Sequence, residues 1–191
     1  MKTRCQWVSK EKEGSLYCNY HDKEWGVPVH NDKILFEFLI LEGAQAGLSW
    51  STVLKKRENY RKAFDKWDFN KIAKYTEKKE KELIQNEGII RNKLKIKSAI
   101  NNAKEFIKIK REFGSFSKYI WKFTEGKPID NKIKSMKEIP STTELSDKIS
   151  KDLKKRGMNF VGSTIIYAFI QAIGIVNDHE IKCFRHKEIK K

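Results

Sequence analysis

The sequence predicts an all-α fold in a single domain, residues 1–191, and three observations support this expectation. Apolar residues recur at spacings of three and four along most of the chain, capping residues bound these stretches, and no alternating run is long enough for a strand. With 39% hydrophobic and 12% aromatic residues, a chain of this length buries a core without disulfides. We expect about seven or eight helices around one core.

The first 31 residues, which we call the head, show no helical periodicity. They contain two of the three cysteines and two of the five tryptophans, residue types that favour burial or metal binding. A segment without an amphipathic face does not order itself by packing one face on a core. We expect the head to be irregular and to be ordered by an ion.

Two helices are expected after the head. Residues 33–47 are apolar almost all round, which is typical of a buried helix. Ser49 or Ser51 can cap a second helix that continues to Phe64, with Lys and Arg crowded on its other face.

The middle of the chain predicts three more helices and a loop. A short helix covers residues 76–86, and Gly88 ends that region. A long helix with apolar residues near helical spacing follows and ends at Gly114, and residues 116–123 form another short helix. Residues 126–140 hold two of the three prolines and are expected to cross the surface as a loop.

The last third predicts a helix, a hairpin turn and a second helix. Residues 141–144 (Ser-Thr-Thr-Glu) read as a capping box that opens a helix reaching Lys155. The turn that follows contains two glycines and is preceded by cations, so its backbone N–H groups can face an anion at the start of the apolar helix over 164–172. The candidate DNA-phosphate contacts are Lys155, Arg156, Gly157, Gly162 and Ser163.

The formal net charge of +16 indicates a polyanionic partner, nucleic acid before a membrane surface. A composition rich in Lys, Ile and Asn from an AT-rich genome would give the same excess without any ligand, so charge alone does not separate the two readings. No apolar run is long enough for a membrane span, and no apolar core follows the charged start as in a secretory signal. We expect a cytoplasmic protein with no membrane partner.

Four candidate metal ligands lie near the two ends of the chain, and an odd cysteine count favours metal binding or free thiols over disulfides. His179 and Cys183 are four residues apart, so on a helical turn both would face one ion. Cys5 and His21 complete a Cys₂His₂ set suited to one structural Zn²⁺ that joins the head to the tail, residues 176–191. The alternative is that these are unrelated core or surface residues.

Four residues outside the ligand set also have expected roles. Asp22 and Asp178 each stand beside a histidine of the set and could accept a hydrogen bond from its second ring nitrogen. Cys18 is expected to be a small buried thiol, and His186 an exposed residue of the tail.

A group of aromatic residues accompanies one carboxylate, Glu42. A carboxylate on a helix that is apolar on both sides is costly unless it is paired, so Glu42 lies either in a buried salt bridge or in a pocket. Aromatic residues are most often core, but around Glu42 they could enclose a flat, cationic or amine-bearing ring. The group comprises Trp7, Tyr17, Tyr20, Trp25 and Trp50.

Taken together, the motifs resemble the TAG (3-methyladenine DNA glycosylase I) family of the helix-hairpin-helix glycosylases. The resemblance covers essentially the whole chain, and its motifs occur in the family's order. They are residues 4–7, 17–28, 41–50, 54–60, 88–91, 153–162 and 176–183.

The resemblance implies a helix-hairpin-helix glycosylase domain with a structural zinc at Cys5, His21, His179 and Cys183. It also implies a base pocket lined by Tyr17, Tyr20, Glu42 and Trp50, with Trp7 and Trp25 nearby. The implied activity is the excision of 3-methyladenine from alkylated double-stranded DNA by base flipping and hydrolysis, with the free base as product and a monomer as the active form.

Two residues are candidates for catalysis. Glu42 could accept a hydrogen bond from the exocyclic amine of the base and offset its charge. Asp178 lies near the point where the wider superfamily has an Asp that stabilises the sugar cation.

Two alternatives remain open at this level. One is a zinc-containing DNA-binding module without chemistry, which the carboxylate among aromatic rings disfavours. The other is a bifunctional glycosylase and lyase; no lysine stands out as a Schiff-base nucleophile, so we expect a monofunctional enzyme.

Overall fold

The computed structural model describes residues 2–189, and most of these are helical. The α-helices of the described residues are α1 (Leu16–Lys23), α2 (Asp32–Gln45), α3 (Trp50–Ala63), α4 (Phe69–Ile72), α5 (Glu77–Gln85), α6 (Lys93–Phe113), α7 (Phe116–Trp121), α8 (Glu144–Lys155), α9 (Ser163–Ala172) and α10 (Phe184–Glu188). Two-residue strands β1 (Ile129–Asp130) and β2 (Val176–Asn177) pair in parallel. Met1, Lys190 and Lys191, at the ends of the expected domain, lie outside the described residues.

The all-α prediction is confirmed, but the ten α-helices of the described part exceed the expected number. The additional ones, α1, α4 and α10, have eight, four and five residues, too few for a periodic apolar pattern to stand out. Side-chain capping marks two of them instead. The Asp68 carboxylate accepts from the N–H groups of Asn70 and Lys71 at the start of α4.

The head is not irregular throughout, which corrects the sequence expectation. Helix α1 begins after Ser15, whose side chain accepts a hydrogen bond from the backbone N–H of Cys18. It buries Cys18, Tyr20 and His21 and leaves its other side chains exposed or part-buried, a division that charged neighbours obscure in the sequence. Because of α1, Tyr20 and His21 lie on a fixed element.

Helix α2 lies at the centre of the fold. Every residue from Leu35 to Ala44 is buried, and α2 packs against α3, α6, α7 and α9. The Asn31 side chain caps its start and confirms the buried helix predicted for this segment. Helix α3 is capped by Ser49, one of the two predicted candidates. The position of α2 places two of its carboxylates in the interior.

The turn between α8 and α9 is held by α6. Gly157 and Phe160 have φ of +92° and +52°, and this left-handed region suits glycine but is uncommon for a phenylalanine. The Asn102 side chain donates to the Asn159 carbonyl and accepts from its N–H, both at 2.8 Å. These two bonds fix the strained tip of the hairpin.

Two details of the C-terminal half differ from expectation. Thr143 is the N-cap of α8 and forms a capping box with Ser146, so Ser141 and Glu144 do not form the predicted one. The loop over residues 126–140 is anchored by β1, whose Ile129 lies opposite Val176 of β2. None of the helices in the described part is both long and apolar enough to span a bilayer.

Candidate active site and metal centre

The four predicted metal ligands meet in the interior. Cys5, His21, His179 and Cys183 are buried, and one ligand atom of each lies within 4.8 Å of all the others. Sγ of Cys5 is 3.4 Å from Nδ1 of His179, and Sγ of Cys183 is 3.5 Å from Nε2 of His21. On a tetrahedral Zn²⁺ with bonds of about 2.3 Å to sulfur and about 2.0 Å to nitrogen, such atoms are about 3.6 Å apart. The donor set therefore fits one tetrahedral ion.

The remaining nitrogen of each histidine is engaged outside this group. Nδ1 of His21 donates to the Asp22 carboxylate at 2.8 Å, and Nε2 of His179 donates to the Trp25 carbonyl at 2.9 Å. In the neutral imidazole, each bond places the ring proton on the outward nitrogen and leaves the inward-facing nitrogen as the one with a free lone pair, as metal coordination requires. Asp22 is thus confirmed as the partner of a histidine, whereas Asp178 does not contact His179 through its carboxylate.

His179 and Cys183 are not on a helix, which corrects the expected helical turn. They lie in successive turns, where the Cys183 N–H donates to the Glu180 carbonyl at 2.7 Å, and Cys183 is the N-cap of α10. The Phe184 N–H donates to the Thr3 carbonyl at 2.9 Å and joins the tail to the head directly. The two ligands converge because tight turns, not one helix face, bring them together.

The sequence left Cys18 and His186 out of the ligand set, and the structure agrees with the expectation for only one of them. Cys18 is a free buried thiol, as predicted, and lies outside the ligand group. His186 is buried, not exposed, and its Nε2 is 2.9 Å from Oδ1 of Asp130 in β1. That contact attaches α10 to the strand pair, which a residue pattern confined to the tail could not indicate.

The predicted ring-binding residues line one cavity of about 370 Å³. All six are present: Trp7, Tyr17, Tyr20, Trp25, Glu42 and Trp50. Sequence reasoning missed five others in the same lining: Gln45, Met136, Ile139, Ala168 and Gln171. Only Gln45 had a local signal, since it lies one helical turn after Glu42. The other four come from α9 and from the loop over residues 126–140, which tertiary packing alone brings here.

Glu42 lies in the cavity and not in a salt bridge, which decides between the two sequence readings. Its side chain is 3% exposed and has no hydrogen-bond or ion-pair partner among the described residues. Burial raises the pKa of Glu42 to about 8, because the charged form loses its hydration. A cation bound in the cavity would therefore favour the ionised form of this carboxyl group.

A second buried carboxylate on α2 provides the contrast. Glu37 accepts from Nε of Arg57 at 2.6 Å and from Nε of Arg61 at 2.9 Å, and Arg57 also bonds Glu24. The arginines of α3 are thus occupied by Glu37 and leave Glu42 unpaired.

The rings of the cavity form two groups, and one of them reaches the four candidate metal ligands. Tyr20 and Trp50 lie 5.2 Å apart, Trp7 lies 5.2 Å from Trp25, and Trp25 lies 4.6 Å from the ring of His179. Burial and the charge of Glu42 raise the pKa of Tyr20, so its hydroxyl stays protonated. Nε1 of Trp50 is a buried donor without a partner in the described part of the chain. The cavity thus combines stacking surfaces with unsatisfied polar atoms.

Lys95 of α6 closes the end of α2 beside this cavity. Its ammonium donates to the carbonyls of Ala44 and Ala46 at 2.8 and 2.7 Å. Cations at a helix C-terminus satisfy carbonyls that lack partners within the helix. Lys95 thereby fixes the segment between Glu42 and Trp50, a role that its surface-like sequence context did not indicate.

The predicted DNA contacts surround the turn between α8 and α9. Gly162 is the N-cap of α9 and supplies no side-chain acceptor, so the first N–H groups of α9 remain available to an anion. Lys155 is exposed, whereas Arg156 is bound by Glu112 and Asp152. Ser163 hydrogen-bonds Ser146. An anion bound at this turn would therefore meet mainly backbone N–H groups, with Lys155 beside them.

Asp178 does not line the cavity. It is 1% exposed and accepts hydrogen bonds from Tyr167 at 2.5 Å, Asn131 at 2.6 Å and Gln171 at 2.7 Å. Of these donors, Gln171 belongs to the cavity wall. Asp178 is therefore linked to the cavity only through its hydrogen bond with Gln171.

Comparisons with known proteins agree with this geometry. The family model described as methyladenine glycosylase matches residues 7–186. The DNA-3-methyladenine glycosylase of Haemophilus influenzae is 47% identical over 183 residues, which cover 96% of this chain and 97% of that protein. A crystal structure of 3-methyladenine DNA glycosylase I (TAG) superposes with a TM-score of 0.91 at 48% identity and covers 95% of this chain and 98% of the other. A variant of such an enzyme in complex with 3-methyladenine superposes with a TM-score of 0.90 at 34% identity, with coverage of 95% and 96%.

Proposed function

The chain belongs to the methyladenine glycosylase family, and we propose that it removes 3-methyladenine from alkylated double-stranded DNA by hydrolysing the N-glycosidic bond. The observation that supports this most directly is Glu42, a buried carboxylate without a cationic partner among the described residues, in a cavity walled by aromatic rings. A surface that only holds phosphate has no use for such a group. A cationic ring that carries an amine would interact favourably with both the carboxylate and the aromatic rings.

The chemistry of the substrate explains what the cavity must do. Methylation at N3 gives the adenine ring a positive charge and makes it a good leaving group, so little acid catalysis is needed. The base must leave the duplex to enter the cavity. Stacking on Trp50 and Tyr20 adds a cation–π attraction of about 0.5–2 kcal/mol for the charged ring. Glu42 accepts a hydrogen bond from the exocyclic amine, and its negative charge faces the cation.

Selectivity and rate have different sources in this proposal. As the bond breaks, the base becomes neutral and the sugar becomes positive, so tight binding of the initial cation selects the substrate but does not itself lower the barrier. The rate then depends on extrusion of the nucleotide, on the orientation of the bond toward water and on the field near the sugar. Asp178 could contribute to that field only from behind Gln171, which makes it a weaker candidate for catalysis than Glu42.

DNA binding is assigned to the hairpin and to the basic surface. The open N-terminus of α9, with Gly157, Gly162 and Ser163 around it and Lys155 beside it, is a seat for one backbone phosphate. Arg156 helps less, because two carboxylates already neutralise it. The net charge of +16 supplies attraction that depends on salt but not on sequence.

We assign Zn²⁺ to the group of Cys5, His21, His179 and Cys183, because two thiols and two oriented imidazoles match its preferred ligands. With four protein ligands and no open position, the ion supplies structural cross-linking and not catalysis. It would join head and tail beside Trp25, which borders both the centre and the cavity. Buried cysteines without disulfide bonds are also compatible with a reducing, cytoplasmic location, and one chain supplies the whole cavity lining, as a monomer requires.

The released base tests this function. Duplex DNA treated with a methylating agent is incubated with the protein, and the free bases are separated and identified. We expect 3-methyladenine as the main product and no adduct after borohydride treatment, since a monofunctional enzyme forms no Schiff base. Release of no base would leave only a DNA-binding module, and a trapped adduct would indicate the lyase alternative.

A further inference from the structure

Asp178 is a buried carboxylate that does not line the cavity and to which the proposed function gives no contact with the substrate. Its two oxygens accept three short hydrogen bonds, from Asn131 on one side and from Tyr167 and Gln171 on the other. An ionised carboxylate only accepts, so each neighbour must present a donor to it. This requirement sets the orientation of the two amide side chains.

For Gln171 the orientation has a consequence in the cavity. Its NH₂ group donates to Asp178 at 2.7 Å, which places the amide oxygen on the opposite side of the group. That oxygen has no hydrogen-bond partner among the described residues, and Gln171 belongs to the lining that contains Glu42. The main chain of Gln171 is fixed as well, because its carbonyl accepts from the Gly26 N–H at 3.1 Å. The side chain therefore offers an acceptor from a rigid support.

We propose that Gln171 contacts the bound base as a second hydrogen-bond acceptor, that Asp178 is the positioning residue that fixes its polarity, and that the pair selects 6-amino over 6-oxo purines. The inference rests on the proposed function. The exocyclic amine of adenine has two N–H groups, and Glu42 and Gln171 can accept one each. A 6-oxo purine such as guanine presents an oxygen there, which would leave two acceptors without a donor.

The position of Gln171 also explains why Asp178 is buried among three donors. An amide alone can turn over and present its NH₂ group to the cavity, where it would favour a 6-oxo purine. With a carboxylate behind it, the turned amide would place two oxygens in contact, which is unfavourable. Tyr167 and Asn131 keep the carboxylate in place, and neither is among the residues that line the cavity.

The test measures the dissociation constants of free 3-methyladenine and free 3-methylguanine by quenching of tryptophan fluorescence, since three tryptophans line the cavity. Gln171→Met keeps the length of the side chain and removes its acceptor. We expect the preference for 3-methyladenine to fall about tenfold, the size of one hydrogen bond to a polarised amine. Gln85→Met, the same change at an exposed position, is the control and should leave the preference unchanged.

The exchanged pair Asp178→Asn with Gln171→Glu separates this role from mere support of the fold. A glutamate at 171 accepts from the new amide and presents an oxygen to the cavity whichever way it turns. The preference for 3-methyladenine over 3-methylguanine, reduced in Gln171→Met, should therefore lie within about threefold of the wild-type value in the exchanged pair. Thermal unfolding and metal content confirm that each variant is folded. A preference unchanged in Gln171→Met, or not restored in the exchanged pair, would overturn the inference. Failure of the wild type to bind 3-methyladenine would overturn the proposed function instead.

Discussion

The metal centre and the cavity share a wall but treat their polar atoms in opposite ways. At the centre each histidine has its outward nitrogen bonded and its inward nitrogen facing the two thiols, so a single ion satisfies the group. In the cavity, the Glu42 carboxyl and Nε1 of Trp50 are buried without a partner in the described part of the chain. Buried polar groups cost free energy when they are unpaired, so a protein keeps them where a ligand completes them. On the proposed assignments, the difference is the one expected between a site that stabilises the fold and a site that binds and releases a ligand.

Removal of one metal ligand should have the largest effect. Cys183→Ser breaks the four-ligand group, and we expect loss of the ion, a fall in the unfolding midpoint of about 10 °C and faster proteolysis of the head. Metal analysis and thermal unfolding measure this. Cys18→Ser is the matched control, because that thiol is also buried but lies outside the group. A Cys183→Ser protein with its metal content intact would show that the centre is not a metal site.

Two carboxylates on α2 allow the next comparison. Glu37→Gln leaves Arg57 and Arg61 without their buried partner, so we expect a loss of about 3 kcal/mol in the free energy of unfolding. Glu42→Gln removes an unpaired buried acid and should not destabilise the protein. It should weaken binding of a fixed cation such as 3,9-dimethyladenine by about thirtyfold.

Chemical denaturation and fluorescence titration of both variants provide the measurements. If Glu42→Gln lost stability as Glu37→Gln does, Glu42 would be a structural residue. If its affinity for the cation were unchanged, Glu42 would not face the base.

The sequence predicted the features that depend on residue type and local pattern, but not those that depend on tertiary packing. The four ligands and the six predicted lining residues were recognisable because their residue types restrict the chemistry, and most of the helices because periodicity and caps are local. Gln171, Met136 and Ile139 were not, since a loop and a helix far apart in sequence meet only after packing. The burial of His186 and the convergence of His179 and Cys183 through turns likewise depend on contacts that no short segment encodes.

The pH dependence of stability gives a third test of the unpaired acid. An acid whose pKa is about 8 in the folded state and about 4.5 when unfolded binds more protons in the folded state between these values. Stability from this group is therefore complete at low pH and falls as pH rises from about 4.5 to 8. We expect the difference in unfolding free energy between wild type and Glu42→Gln to change by about 4 kcal/mol over this range in favour of the variant.

Denaturation at several pH values measures that difference, and the other titrating groups cancel between the two proteins. Affinity for the fixed cation should rise over the same interval in the wild type only, because the ionised carboxylate is the form that pairs with it. A difference that stays constant with pH would mean that Glu42 is already ionised and has a partner.

The smallest effect is expected at the hairpin, because its contact with DNA involves neither the metal-ligand group nor the cavity. Lys155→Gln removes one exposed cation beside the start of α9, so the affinity for duplex DNA should fall about threefold and the slope of log affinity against log salt should lose about one unit. Lys78→Gln, exposed on α5, is the control for net charge alone. Binding of the free base should be the same in both variants, because neither residue lines the cavity. Equal salt slopes for the two would mean that the hairpin contributes only general charge, and the cavity would then have to find its base without a fixed phosphate contact at Lys155.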